Sequence, residues 1–153
     1  RREGEEVCIS YGEVDNEQLL QYYGFVVPNN PHDSVSLTLE ELSEHVHPPS
    51  IGSTSDKLSR LAVLLGSPPS GLSDLKVTCF GPSAELMRVA RVLCLDRAEM
   101  DADLSDLSRA LASDQHLHLD NELRAWGMVE RACVRRLEGM GTSLAEDEAE
   151  LAR

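Results

Sequence analysis

The sequence predicts a mostly α-helical fold crossed by two short strands, with a further strand and a short helix at its N-terminal end. Three observations lead there. From residue 55 onward apolar residues recur at the helical spacings of three and four. Two brief stretches, 34–39 and 75–80, alternate polar and apolar instead, as half-buried strands do. A linker rich in proline and asparagine, 28–33, separates regions of different character and divides residues 1–28 from 29–153.

Taken in order, 6–10 reads as a strand with Val7 and Ile9 on one face and Cys8 on the other. The chain turns at 12–15. Asp15, with Gln18 three residues on, is a capping pair for a short helix ending at Gln21 or Tyr22, and Gly24 stops it. Pro28-Asn29-Asn30-Pro31 denies both ladder and helix. The strand 34–39 follows, 40–43 leaves it, and His45-Val46-His47-Pro48-Pro49 is loop. Leu58, Leu61, Ala62 and Leu65 mark an amphipathic helix from Ser55, ended by Gly66, and 67–71 is a breaker-rich connection.

The strand 75–80 could pair with 34–39. Gly81-Pro82 then starts a helix, with Pro82 near the first helical position, where its missing N–H is no loss. Leu86, Val89, Ala90 and Leu93 form its apolar stripe. A short helix at 105–112 carries Leu107, Ala110 and Leu111. Asp120 opens the longest helix, with Leu123, Trp126, Val129, Cys133 and Leu137 facing inward, and Gly139-Met140-Gly141 ends it. Ser143 and Glu146 have the Ser-x-x-Glu form of a capping box for a last, acidic helix.

Composition narrows the function classes. Hydrophobic residues at 41% and charged residues at 27% are globular rather than disordered proportions over 153 residues, room for one domain or part of one with a small second. The net charge of −13 repels polyanions and argues against a nucleic-acid partner. It suits a basic protein partner by long-range steering, and serves equally as plain solubility. Cys8, Cys79, Cys94 and Cys133 are scattered without a CxxC pair, so a disulfide framework is not expected and a reducing, intracellular compartment is favoured. Chloroplast, cytoplasm and nucleus are not distinguished. No apolar run approaches the roughly 18 residues that span a bilayer, and Arg1-Arg2-Glu3-Gly4 has no apolar core behind it to make a signal peptide.

No phosphate loop, His-Glu-x-x-His or Gly-x-Ser-x-Gly occurs, which leaves hydrolase chemistry without a nucleophile and base. The histidine pairs His45/His47 and His116/His118 lack accompanying ligands, so no metal site is expected. The chemistry-bearing feature is aromatic: Tyr11, Tyr22, Tyr23 and Phe25 are four of the chain's six aromatic side chains. By periodicity alone they read as core with tyrosine tips at the surface. Their alternative reading is a lined pocket, since tyrosine hydroxyls orient amines and aromatic faces attract ammonium groups.

The spacing in Gly4-Glu5-Glu6-Val7-x-Ile9-x-Tyr11-Gly12, then Asn16-x-x-Leu19-Leu20-x-x-Tyr23-Gly24-Phe25-Val26, resembles the end of a SET methyltransferase domain of the Rubisco large-subunit lysine methyltransferase type. In that family the motif runs into a helical substrate-binding domain. Residues 86–95, Asn121-Glu122-x-x-Ala125 with Cys133 and Leu137, and Gly141-Thr142-Ser143-Leu144-x-Glu146-Asp147 resemble that domain more loosely, and Met140 stands where it usually has an aromatic.

The resemblance implies a protein methyltransferase using S-adenosylmethionine, with 1–28 as the SET end and 29–153 as the substrate-binding domain. The position matching Tyr11 is the family's catalytic tyrosine, Tyr23 matches a residue lining the lysine channel, and Phe25 matches one that packs near the cofactor. The family's Gly-x-Gly and Asn-His stretches are expected upstream of Arg1, leaving most of the cofactor site outside this chain. The partner implied is a protein with a target lysine, presented on a basic loop. Two alternatives stand beside it: a non-catalytic helical interaction module keeping a SET remnant, and a protein-histidine methyltransferase, since the class includes enzymes acting on actin.

Overall fold

The core is organised around one helix that is buried from Leu86 to Leu93 except at Arg88. In the computed structural model residues 9–45, 54–65, 72, 74–101, 104–112 and 117–151 are described. Eleven elements are assigned among them: α1 Asn16–Tyr23, β1 Ser34–Ser36, α2 Leu39–Ser43, α3 Thr54–Leu65, β2 Lys76–Thr78, β3 Gly81–Pro82, α4 Ala84–Leu93, α5 Arg97–Met100, α6 Leu104–Ala112, α7 Leu119–Glu138 and α8 Leu144–Leu151. The fold is mostly helical with short antiparallel strands, as the sequence predicts.

The central helix is α4. Its stripe of Leu86, Val89, Ala90 and Leu93 is fully buried, and Met87 and Val92 are buried as well. A helix with so wide an apolar face belongs against the core of a domain, and α4 lies between α3 and α7. Its start differs from expectation. Gly81-Pro82 does not open the helix; it forms β3, paired with β2 through Val77–Pro82 and Thr78–Gly81. Thr78 Oγ1 accepts from the Phe80 N–H at 3.1 Å and donates to the Gly81 carbonyl at 3.1 Å, closing a turn that lets the chain double back first. Ser83 then caps α4, its hydroxyl accepting from the Leu86 N–H.

The two predicted strands pair as expected, antiparallel with Ser34 opposite Thr78 and Ser36 opposite Lys76. β1 ends earlier than the alternation suggests. Leu37 still donates to the Leu75 carbonyl at 2.7 Å, but Thr38 and Glu41 form a capping box that starts α2, where the sequence reading had only an exit from the strand. α5, opened by reciprocal bonds between Asp96 and Glu99, was likewise not anticipated. α6 starts at Leu104, with Leu107 and Leu111 buried. α3 covers the predicted helix, Leu64 being buried; the proposed stop at Gly66 lies outside the described residues. The Ser143–Glu146 box opens α8 as read from the sequence.

The long helix α7 corrects the predicted inward face. Val129 is buried and Cys133 packs against the core, but Leu123, Trp126 and Leu137 are 62%, 50% and 63% exposed. The buried face is Asn121, Glu122, Ala125, Met128, Val129 and Ala132. Small Ala125 and Ala132 let α7 approach α4, and the polar pair at its N-terminal end is consumed by α4 itself. Arg91, buried on α4, donates to the Glu122 carboxylate, and Asn121 Nδ2 donates to the Arg91 carbonyl at 3.1 Å. Counting large apolar side chains selects the wrong side of such a helix. α7 begins at Leu119, capped by His118 rather than opened by Asp120.

At the N-terminal end α1 has the predicted cap, Asp15 accepting from the Gln18 N–H at 2.8 Å. Gly24, at φ 76°, takes the left-handed conformation that ends the helix after Tyr23, slightly beyond the predicted end. Of the strand predicted over 6–10, Ile9 and Ser10 are not in a strand, and the remainder lies outside the described residues. Among the described residues no helix is long and apolar enough to cross a membrane.

Candidate functional site: an aromatic cluster on a stitched loop

The cap and stop of α1 deliver Tyr23 and Phe25 to one place, and the turn at Gly12 brings Tyr11 back onto them. The Tyr11 ring meets Tyr23 edge-on at a centroid distance of 4.6 Å and Phe25 at 5.3 Å, while Tyr23 and Phe25 are 6.4 Å apart. All three residues singled out in the sequence are therefore in one cluster. Tyr22 is not in it, being 71% exposed. Nor are the three ordinary core residues: Tyr11, Tyr23 and Phe25 are 43%, 54% and 36% exposed. Tyr11, Gly12, Phe25, Val27, Asn30 and His32 contribute to the walls of a cleft of about 260 Å³ beside the cluster.

The loop beneath is held by side-chain amides and carboxylates. Asn16 exchanges two bonds with Val27, its Oδ1 accepting from the Val27 N–H at 2.8 Å and its Nδ2 donating to the Val27 carbonyl at 2.9 Å. Asp33 accepts from both the Asn16 backbone N–H and Asn16 Nδ2. Asn30 Nδ2 donates to the Val14 carbonyl at 2.8 Å, and the Asp15 carboxylate also accepts from the Ser34 hydroxyl. The sequence reading quoted Asn16 within a motif without a role, and missed Asp33. Its signal would have been a carboxylate placed just after the Asn-Asn-Pro turn.

Two other groupings fall outside this cluster. Asp96, Glu99 and His118 bring potential ligand atoms within 4.8 Å of one another. Arg124 already supplies a cation there, donating to Glu99 Oε2 at 2.9 Å, and His118 Nε2 faces Glu99 Oε1. His118 Nδ1 accepts from the Asn121 N–H, which caps α7. These groups are joining α5 to α7. His47 and His116 lie outside the described residues. An apolar groove of about 530 Å³ runs between β2–β3 and α7, walled by Val77, Pro82, Leu123, Trp126 and Glu130 among others.

Two of the described thiols, Cys94 and Cys133, are poorly suited to nucleophilic work. Cys79, Cys94 and Cys133 are free. Burial pushes the Cys94 thiol up to about 11, outweighing the Lys57 ammonium nearby, and burial also raises Cys133. Buried Lys57 is depressed by desolvation. Its ammonium donates to the Leu93 and Leu95 carbonyls, where the C-terminal end of α4 offers negative charge.

These features define a helical module around one buried helix, edged by a small antiparallel sheet and carrying an open aromatic cluster at one end. The Rubisco LSMT substrate-binding family model matches residues 53–153, and the chain belongs to that family. Among its relatives, the actin-histidine N-methyltransferase of Canis lupus familiaris is 29% identical over 97% of this chain and 25% of its own length. The Homo sapiens actin-histidine N-methyltransferase is 28% identical over 98% of this chain and 25% of its own length. The Homo sapiens SET domain-containing protein 4 is 29% identical over 90% of this chain and 29% of its own length. The chain thus spans about a quarter of the length of the curated relatives it matches first.

Proposed function

We propose that this chain is the C-terminal part of an S-adenosylmethionine-dependent protein methyltransferase, with 1–28 closing a SET domain and 29–153 recruiting the protein substrate. The observation that carries this reading is the convergence of Tyr11, Tyr23 and Phe25 at the N-terminal end of a substrate-binding-family domain. In this reading the helical part includes β1, which pairs with β2, while Asn30, Asp33 and Ser34 bond back to 14–16 and join the two parts across the boundary. The acidic balance of −13 suits a basic segment on the substrate.

The described residues fit one wall of a cofactor site. Phe25 and Gly12 offer an apolar ring and an open backbone beside the small cleft, whose volume is below the usual range of about 300–1,000 Å³ for ligand pockets. S-adenosylmethionine supplies a methyl group on a sulfonium. What this chain contributes is positioning. The Tyr11 hydroxyl would orient the acceptor nitrogen by a hydrogen bond, and the Tyr23 and Phe25 rings would exclude water along its approach. A lysine entering such a channel loses hydration and is pushed toward its neutral, nucleophilic form. In-line displacement then depends on alignment of acceptor and methyl.

Lysine is the acceptor implied by the motif around Tyr11 and Tyr23. A histidine acceptor is the second reading, favoured by relatives named as actin-histidine N-methyltransferases. The test uses the full-length protein with radiolabelled S-adenosylmethionine, offering purified actin and a lysine-rich peptide, with mass spectrometry locating the methyl. Label on lysine, reduced at least tenfold in Tyr11→Phe, is the expected result. Label on histidine replaces the first reading with the second. No transfer to either, or an undiminished Tyr11→Phe variant, overturns the assignment.

A further inference from the structure

Apolar burial contributes little to holding the aromatic cluster: between Tyr11 and Ser34 Leu19 alone is a buried apolar side chain. Val26 and Val27, which follow Phe25, are 54% and 41% exposed, so little buried surface fixes the arc from Tyr23 to Val27. What fixes it is polar. Asn16 gives Val27 the two-bond exchange that a neighbouring strand residue would otherwise give. An amide can do this in one orientation only, oxygen toward the N–H and nitrogen toward the carbonyl. Asp33 imposes that orientation, because its Oδ2 accepts from Asn16 Nδ2 at 2.8 Å and would repel the amide oxygen of a flipped side chain. Its Oδ1 meanwhile holds the Asn16 backbone N–H at 2.7 Å.

Asn16 is the first residue of α1 and Tyr23 the last. The helix therefore fixes one end of the arc and the Asn16 side chain the other, with Gly24 making the reversal between them. Phe25 sits inside that span, two residues from the pinned Val27, and its ring reaches Tyr11 at 5.3 Å. We propose that Asn16 and Asp33 are positioning residues for methyl transfer: Asp33 orients the Asn16 amide, and the amide sets where Phe25 and Tyr23 stand relative to Tyr11. This rests on the reading of the aromatic cluster as the transfer channel.

The experiment uses the full-length protein and whichever of actin and the lysine-rich peptide accepts label, with Tyr11→Phe measured in parallel. Asn16→Ala removes the exchange with Val27, and Asn16→Asp sets a second carboxylate against Asp33. Each is expected to lower kcat by roughly tenfold to a hundredfold, with KM for the protein substrate within about twofold. Asp33→Asn, a gentler change, is expected to lower kcat less, and serves if Asn16→Ala fails to fold. The double variant Asn16→Asp with Asp33→Asn lets the carboxylate at 16 accept from the Val27 N–H and from the new amide, but leaves the Val27 carbonyl without the donor that Asn16 Nδ2 supplied, so kcat is expected to recover only in part, above Asn16→Asp and below the parent.

An unchanged kcat in Asn16→Ala beside an impaired Tyr11→Phe overturns the inference and leaves the channel reading standing. A rise in KM alone overturns it as well, making Asn16 a substrate contact. A double variant no better than Asn16→Asp overturns the pairing of the two residues. An unimpaired Tyr11→Phe, or no transfer to either acceptor, removes the channel reading and this inference with it.

Discussion

The aromatic loop and the helices around α4 are held together by opposite means. Around α4 apolar side chains are fully buried, and the polar groups taken inside have partners there: Arg91 and Glu122 pair with each other, while Asn121 and Lys57 donate to backbone carbonyls of α4 and its C-terminal end. Between Tyr11 and Ser34 almost nothing apolar is buried except Leu19, and amides and carboxylates make the connections. Burial is strong and non-directional, so it fixes which elements meet. Hydrogen bonds are weaker in net free energy but directional, so they fix where a ring stands. Stability and placement of reacting groups are thus carried by different parts of the chain, and variants can separate them.

The largest expected effect is at the buried ion pair. Arg91 and Glu122 have side chains only 6% and 9% exposed. Removing one partner, as in Glu122→Leu, strands a buried charge and should lower stability by about 3–5 kcal/mol. Replacing both, Arg91→Met with Glu122→Leu, should restore most of that loss. Urea unfolding monitored by circular dichroism measures both. A double variant as unstable as the single would mean the pair itself, rather than the orphaned charge, holds α4 to α7.

Leu86→Ala should follow at about 2–5 kcal/mol, the range for emptying a fully buried leucine site. Tyr11→Phe removes a hydroxyl from a ring 43% exposed and should stay within about 0.5 kcal/mol. That contrast is the sharpest form of the comparison. Equal losses at both positions would show the loop to be part of the core after all.

Lys57→Met comes next. The variant keeps the buried stem but leaves the Leu93 and Leu95 carbonyls without their donor, for about 1–3 kcal/mol. Because burial holds the folded-state value of Lys57 below its ordinary 10.5, folding sheds protons in the window between the two. Stability contributed at this site therefore rises with pH through that window, and the rise should vanish in Lys57→Met.

The same contrast explains what could be read in advance. Helices with one strong period, such as α4, declared themselves, because burial on that scale leaves a pattern in the sequence. The phase of α7 did not. Its inward face is built from alanines and from Asn121 and Glu122, whose burial makes sense only once Arg91 and its carbonyl are opposite. β3 was hidden for a similar reason: Pro82 fits a helix start as well as a sheet edge, and the turn made by Thr78 decides between them. The aromatic trio was legible as a motif. The amide network under it was not, since Asn16 and Asp33 are 17 residues apart and nothing in their spacing joins them.

A further small effect tests a polar connection of the second kind placed at the edge of the first region. Arg136 on α7 donates to Glu41 at 2.9 Å and to the Ser36 carbonyl at 3.0 Å, tying the long helix to α2 and β1. Partial burial opposes ionisation of Glu41. The Thr38 N–H and hydroxyl together with Arg136 outweigh it, so the carboxyl titrates below its ordinary 4.5. A carboxylate depressed in the folded state stabilises above its ordinary value, and that contribution fades as pH falls through the folded one. Both side chains are about a third or more exposed, at 34% for Glu41 and 42% for Arg136, so solvent screening limits the gain to below about 1 kcal/mol. Glu41→Gln should therefore be slightly less stable than the parent at pH 7 and equal to it near pH 3, with the gap at pH 7 narrowing in molar salt. A gap that persists at pH 3 would mean that the cap on α2, which glutamine can partly replace, and not the charge facing Arg136, is what Glu41 contributes.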